Sequence, residues 1–180
     1  MSETEQLFVI TGGPGSGKTA LVAALQAEGF ACLPEAGRAV IQKQVIRKGT
    51  ALPWADRLAF AEEMFRRDLQ SWHDAQTLPP PVFFDRGLPD TVGYLKLIGL
   101  AVPPQMEEAV HHYRYQRHVF IAPPWPAIFG QDAERKQSWQ EAEATYRSMV
   151  DVYEELGYEL VQLPQISVAE RMRFVVDFVR

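Results

Sequence analysis

The sequence predicts an α/β fold built on a five-stranded parallel sheet with helices on both faces. Two observations predict it: five apolar, strand-like runs alternate with helix-like segments, and short proline-rich connectors punctuate the pattern without dividing it. We expect a single domain over residues 1–180, since that length can bury a full core. The strand-like runs, in chain order, are LFVIT, FACLPE, PVFFD, RHVFIA and YELVQLP.

The first strand-like run leads into a glycine-rich loop. The stretch TGGPGSGKTA fits G-x-x-x-x-G-K-[ST], the Walker A motif or P-loop, and ALVAALQAEG follows it as a helix predicted to end at Gly29. Backbone N–H groups of such a loop surround phosphates, while its lysine reaches the β- and γ-phosphates and its hydroxyl completes a Mg²⁺ shell. We therefore expect ATP or GTP to bind here. The predicted binding residues are Gly12, Gly13, Pro14, Gly15, Ser16, Gly17, Lys18, Thr19 and Ala20.

Charged residues follow the second strand-like run. Glu35 stands where this run ends, and Arg38 lies one helical turn later. Ligands of an open parallel sheet lie beyond the carboxyl ends of its strands. We expect Glu35 to take a proton from an attacking hydroxyl and Arg38 to hold the acceptor or the transferred phosphate. A local Glu35–Arg38 surface pair without a chemical role is the alternative.

The third run ends in the stretch VFFDRGLPD. Asp85 follows three apolar residues and so is predicted at the strand tip, where a carboxylate can hold Mg²⁺ directly or through water. Capping of the next helix by Asp85 is the alternative. Arg86 either clamps a phosphate or pairs with Asp85 or Asp90.

The fourth run leads into APPWPAIFGQDAERKQ and a charged helix start. We expect the segment at about 123–140 to act as a lid and Arg135 to supply positive charge to the transition state, the alternative being a solvated helix end. A helical pattern then runs from Asp132 to Leu156, with an apolar stripe that is expected to face the core. The loop after the fifth run, ahead of a helix predicted to begin near Ser167, is expected to cover the nucleobase.

The composition limits the classes of molecule that the protein is expected to bind. The net charge of −5 gives no general attraction to nucleic acid, so a polynucleotide substrate is not expected. No apolar stretch approaches the length of a transmembrane helix, and the N-terminal MSETEQ is polar and acidic, unlike a secretory signal. We therefore predict a cytoplasmic protein.

The glycine-rich loop and the charged stretches at the ends of the strand-like runs together resemble a small P-loop family labelled as an AAA-type ATPase domain. That family is related to the ribosylnicotinamide kinase domain of the bacterial NAD-biosynthesis regulator. The resemblance covers nearly the whole chain and is carried by VITGGPGSGKTALVAAL, PEAGRAVI, FFDRGLPDTVGY, FIAPPWPAIFGQDAERKQSWQEAEATY and LGYELVQLPQISVAERMRFV. It implies a three-layer P-loop NTPase fold with the kinase-like strand order 2-3-1-4-5. The signature positions it implies are Glu35, Arg38, Asp85, Arg86, Asp132 and Arg135.

The resulting functional prediction is a Mg-ATP-dependent phosphotransferase that acts on a hydroxyl of a small, nucleoside-like acceptor. Thr19 and Asp85 are the predicted Mg²⁺ ligands. The alternative is an ATP- or GTP-dependent switch that binds a protein or phosphoinositide partner, because some members of the resembled family are known chiefly for such binding. The predicted catalytic residues are Lys18, Glu35, Arg38, Asp85, Arg86 and Arg135.

Overall fold

The computed structural model describes residues 3–129 and 138–180. A short 3-10 helix, Glu3–Gln6, precedes the first strand. The strands are β1 Leu7–Gly12, β2 Ala31–Leu33, β3 Val82–Asp85, β4 His118–Ala122 and β5 Glu159–Gln162. The helices are α1 Lys18–Ala27, α2 Ala36–Arg47, α3 Arg57–Ala75, α4 Leu88–Leu97, α5 Pro104–His112, α6 Pro126–Phe129, α7 Trp139–Glu155 and α8 Val168–Val179.

The strands form one parallel sheet in the order β2-β3-β1-β4-β5, which confirms the predicted fold class and strand order. β1 is central, and the register sets Ile10 opposite both Asp85 of β3 and Phe120 of β4. On the other side of β3, Phe84 faces Leu33 of β2. The carboxyl ends of β2, β3 and β1 therefore lie side by side at one edge of the sheet.

Helices cover both faces of the sheet, because neighbouring residues of each strand point to opposite sides. Leu7 and Val9 of β1 belong to one buried cluster together with side chains of α3, α4, α5 and α7. Phe8 and Ile10 belong to a second cluster, formed with α1 and α8. The near-continuous apolar character of β1 follows from this burial on both faces, and the fold has three layers.

Side-chain caps set the starts of the later helices. The Ser138 hydroxyl accepts a hydrogen bond from the Glu141 N–H at the start of α7, and Ser167 forms a reciprocal capping box with Glu170 at the start of α8. The predicted start near Ser167 is confirmed. The apolar stripe of α7 packs onto the core, as expected from its spacing, and residues 132–137 of the predicted Asp132–Leu156 pattern lie outside the described residues. None of the helices within 3–129 and 138–180 is long and apolar enough to cross a membrane.

Candidate active site

Gly12 and Gly17 show why the loop between β1 and α1 needs glycine. Gly12 has φ +140°, and an ideal Cβ built on it would lie 2.3 Å from the Ala122 carbonyl oxygen of β4. Gly17 has φ +83° and ends the loop directly before the first turn of α1. No side chain caps that turn, so its N–H groups face the loop and complement an anion. The backbone therefore has the form that phosphate binding requires.

Arg171 braces this loop from α8. Its guanidinium donates to the carbonyl oxygens of Ser16, at 3.4 Å, and Gly17, at 3.3 Å, and the side chain is 3 % exposed. The guanidinium carbon also lies 5.1 Å from the centre of the Trp125 ring. Sequence analysis did not single out Arg171, because its contacts span more than 150 residues and no motif spacing connects them.

Lys18 and Asp85 meet between α1 and the end of β3. The Lys18 Nζ lies 3.8 Å from the Asp85 Oδ1, too far for a hydrogen bond, and both side chains are buried. Asp85 Oδ1 has no hydrogen-bond partner among the described residues. A buried carboxylate oxygen without a hydrogen bond is costly in a folded protein, and this one is available to a further cation.

These residues fit a Mg²⁺ ion bound together with a triphosphate. Thr19 follows Lys18 in the first turn of α1 and is exposed, so its hydroxyl is accessible on the loop side of the sheet. Mg²⁺ in nucleotide sites is held by one or two protein ligands, phosphate oxygens and waters. The described part of the chain has no group of three or more His, Cys, Asp or Glu side chains suited to hold a metal by themselves. The orphaned Asp85 Oδ1 is the atom best suited to this role.

Arg86 connects the ends of β3 and β2. Its Nη1 donates to Asp90 Oδ1 at 3.0 Å, and its Nε lies 3.9 Å from Glu35 Oε1. The backbone at Arg86 has φ +69°, an uncommon value for a residue with a side chain, and its N–H donates to the Ile10 carbonyl at 3.0 Å. Arg86 therefore pairs with Asp90, as one of the alternatives for it predicts, and Glu35 is its second partner.

Asp90 organises the centre of the site. Its carboxylate accepts from the hydroxyls of Thr11 and Tyr153, from the Gly87 N–H and from Arg86. These donors belong to β1, α7 and the β3–α4 connection, so one carboxylate joins the sheet to two helices. The side chain is 5 % exposed. Sequence analysis named Asp90 only as a neighbour of Arg86, since Thr11 and Tyr153 lie 79 and 63 residues away.

The remaining predicted residues lie around this centre. Glu35 directly precedes α2, and its ion pair is with Arg86 rather than with Arg38. Arg38 is exposed on the first turn of α2. Arg135 and Asp132 fall outside the described residues, as does most of the predicted lid beyond α6.

The charges shift the ionisation of Glu35, Lys18 and Arg86. Burial disfavours the Glu35 carboxylate, but Arg86, Lys18 and Arg38 together hold its pKa below the usual value. Burial and the nearby Arg86 lower the pKa of Lys18, with Asp85 and Glu35 opposing them. Burial also opposes the charge on Arg86, yet Asp90, Glu35 and Asp85 raise its pKa above the ordinary range. Glu35 and Arg86 are therefore held as a charged pair.

Solved structures with the same fold include several kinases. A thymidylate kinase from Ehrlichia chaffeensis has 12% identity and a TM-score of 0.64, covering 97% of this chain and 98% of its own. Deoxyadenosine kinase from M. mycoides with bound dATP has 14% identity and a TM-score of 0.56, covering 96% and 98%. NadR in complex with NR has 17% identity and a TM-score of 0.64; the match covers 98% of this chain and 50% of NadR.

The sequence comparisons agree with the motifs. No curated protein matches the chain. A family model described as an AAA domain matches residues 7–171, from the first residue of β1 to the arginine that braces the loop. The chain therefore belongs to this AAA domain family and has the fold of P-loop kinases.

Proposed function

We propose that this chain is a Mg-ATP-dependent kinase that transfers the γ-phosphoryl group of ATP, or of GTP, to a hydroxyl of a small, nucleoside-like acceptor. The observation that carries the proposal is the meeting of Glu35 with Arg86 next to Lys18 and the P-loop. A nucleotide-dependent switch needs the P-loop and a carboxylate that binds the metal. It does not need a second, ionised carboxylate at the tip of β2, where an acceptor hydroxyl would approach.

The P-loop residues Gly12 to Ala20 would surround the triphosphate, with Lys18 on its terminal phosphates. Thr19 and Asp85 would hold Mg²⁺, and the partnerless Asp85 Oδ1 supports this assignment. When bound, Mg²⁺ neutralises charge on the phosphate oxygens. The 3.8 Å separation of Lys18 from Asp85 leaves the ammonium free to exchange its partner for a phosphate.

Glu35 would accept the acceptor's hydroxyl proton as the new O–P bond forms and the bond to the leaving nucleoside diphosphate breaks. Its lowered pKa keeps it ionised at neutral pH, as a proton acceptor must be, but makes it a weak base. A weak base suffices because the transition state of phosphoryl transfer is loose and the attacking oxygen carries little charge. Arg38, Arg86 and Arg135 would neutralise charge on the transferred group.

The similar structures support a small-molecule acceptor. Deoxyadenosine, thymidylate and shikimate kinases share this fold, and each is named for a small acceptor that bears a hydroxyl or phosphate group. NadR was solved in complex with NR. The acceptors of these kinases differ, so the support is for the type of reaction.

The test is transfer of labelled γ-phosphate from Mg-ATP, and separately from Mg-GTP, to pooled nucleosides, pyridine ribosides, sugars and inositol lipids. We expect a labelled organic product, and at least about 100-fold lower turnover for Lys18→Ala, equivalent to roughly 3 kcal/mol of transition-state stabilisation. Lys96→Ala, at a half-exposed lysine paired with Glu155 on the far side of α4, is the matched control and should keep its turnover.

Glu35→Gln separates the kinase from the switch. In a kinase, this change abolishes phosphotransfer and leaves nucleotide affinity roughly intact, because Glu35 lies on the acceptor side of Lys18. In a switch, slow hydrolysis continues nearly unchanged. Near-normal turnover of Lys18→Ala would show that the P-loop does not carry the reaction.

A further inference from the structure

A second buried carboxylate lies near the proposed acceptor site. Asp68, on α3, is only 7 % exposed. Over residues 3–129 and 138–180, its carboxylate has no hydrogen bond and no ion pair. Buried carboxylates are ordinarily paired, since removing an isolated charge from water costs several kcal/mol. Asp68 therefore calls for a partner that the described chain does not supply.

Asp68 belongs to the face of α3 that packs inward. Ala61 and Phe65 are buried on the same face, at the helical spacings of four and three residues that lead to Asp68. One turn before it, the Met64 sulfur lies 3.3 Å from the position of an ideal Cβ on Gly37, and Glu35 Oε1 lies equally close to that position. This face of α3 therefore passes beside the carboxylate proposed to activate the acceptor.

The charges around Asp68 are mostly negative. The charged groups that act on it are Asp90, Glu35, Arg86 and Asp85. Arg86, the single cation among them, already pairs with Asp90 at 3.0 Å and with Glu35 at 3.9 Å. Burial first, and then Asp90 and Glu35, raise the pKa of Asp68 well above its usual range. An ionised Asp68 is therefore favourable only beside a further cation that comes from outside the fold.

We propose that Asp68 binds a positively charged group on the part of the acceptor that does not react, so that the acceptor is an organic cation bearing a hydroxyl. This inference rests on the proposed kinase function and adds its substrate class. Glu35 and Arg86 then face the hydroxyl, and Asp68 faces the cationic end. Beside a neutral acceptor Asp68 stays protonated, so only a cationic acceptor gains a charge–charge attraction, and such a difference separates closely similar substrates. Asp68 is thus a specificity-determining residue.

The test uses pairs of acceptors that differ in charge but not in shape. Suitable pairs are an amino sugar and its parent sugar, choline and its neutral tert-butyl analogue, and a pyridinium riboside and its uncharged dihydropyridine riboside. We expect wild type to phosphorylate the cationic member of at least one pair with kcat/KM higher by about tenfold or more. Asp68→Asn keeps the side-chain shape but removes its charge, and should bring that ratio close to one.

Glu62→Gln is the matched control, because it removes an exposed carboxylate from the same helix and should leave the ratio unchanged. A second readout is equilibrium dialysis of the same compounds with protein loaded with a non-hydrolysable ATP analogue. Transfer to neutral members at equal or higher kcat/KM, or a charge preference that survives Asp68→Asn, would overturn the inference and leave the kinase proposal standing. Cation retention that depends on Asp68, without transfer to any compound, would overturn the kinase proposal and leave Asp68 as a cation-binding residue only. If neither transfer nor Asp68-dependent cation retention is observed, both proposals are overturned.

Discussion

Replacing Asp90 should destabilise the fold more than any exposed acidic substitution. Asp90→Ala leaves the partly buried Arg86 without its 3.0 Å partner and removes the acceptor of Thr11, Tyr153 and Gly87. Breaking a buried ion pair by removing one partner costs about 3–5 kcal/mol. We expect a loss in that range in the free energy of unfolding, measured by urea denaturation followed by circular dichroism. Asp90→Asn keeps the shape and half of the acceptors, and should lose about 1–3 kcal/mol.

The control is Asp74→Ala, at an exposed carboxylate of α3 that accepts one hydrogen bond, from Gln70. It should change the free energy of unfolding by no more than about 0.5 kcal/mol. Tyr153→Phe removes a single donor to Asp90, and its loss in the free energy of unfolding should lie between those of Asp74→Ala and Asp90→Asn. If Asp90→Asn is as stable as Asp74→Ala, and Tyr153→Phe has no effect, then Asp90 is not the residue that joins β1, α4 and α7. The comparison of Asp90→Asn, Tyr153→Phe and Asp74→Ala can be made even if Asp90→Ala does not fold.

Two further predictions concern Arg171 and Asp68. Gly17 and Gly157 have nearly equal φ values of +83° and +85°, but only a Cβ on Gly17 would meet Arg171, at 2.7 Å from Nη1. Each alanine variant should lose about 1–2 kcal/mol in the free energy of unfolding because of its left-handed backbone. Gly17→Ala should lose a further amount because its Cβ meets Arg171. Equal melting temperatures of the two variants would contradict the proposed contact of Arg171 with the loop. The raised pKa of Asp68 means that the folded state holds this proton more tightly than the unfolded state, so ionisation destabilises the fold as pH rises above about 4. The free energy of unfolding of Asp68→Asn should therefore match that of wild type near pH 4 and exceed it at pH 7. Urea denaturation at both pH values measures this difference. If the variant is less stable than wild type at pH 7, the carboxylate has a stabilising partner.

Features of the site that depend on local spacing could be predicted from the sequence. The apolar run, the glycines and the lysine of the P-loop are adjacent in the chain, and a parallel sheet brings its strand ends to one edge. Asp85 and Glu35 can be identified in the sequence because each is the last residue of a strand-like run. The strand order came from the family resemblance, since no local pattern determines which strands are neighbours.

The residues that sequence analysis missed are connected through distant contacts. Arg171 contacts Ser16 across 155 residues, and Asp90 meets Thr11 across 79. Asp68 reads in the sequence as one more charged residue of a long amphipathic helix, WADRLAFAEEMFRRDLQSWHDAQ. Only the packing of α3 shows that this carboxylate faces inward, in line with Ala61 and Phe65.

Lys18 and Arg86, two of the cations of the proposed site, are held in different ways, and the difference suits their proposed roles. Arg86 is fixed by a hydrogen-bonded pair with Asp90 and by a backbone bond to Ile10. A donor held in this way loses little side-chain freedom when a substrate binds, and its charge is already oriented before the reaction. Lys18 faces Asp85 across 3.8 Å without a hydrogen bond. In the proposed complex, its ammonium would turn to a phosphate without breaking a hydrogen bond, and Asp85 would be available to bind Mg²⁺. The side proposed for the acceptor thus has a fixed cation, and the side proposed for the nucleotide has an ion pair that can exchange partners.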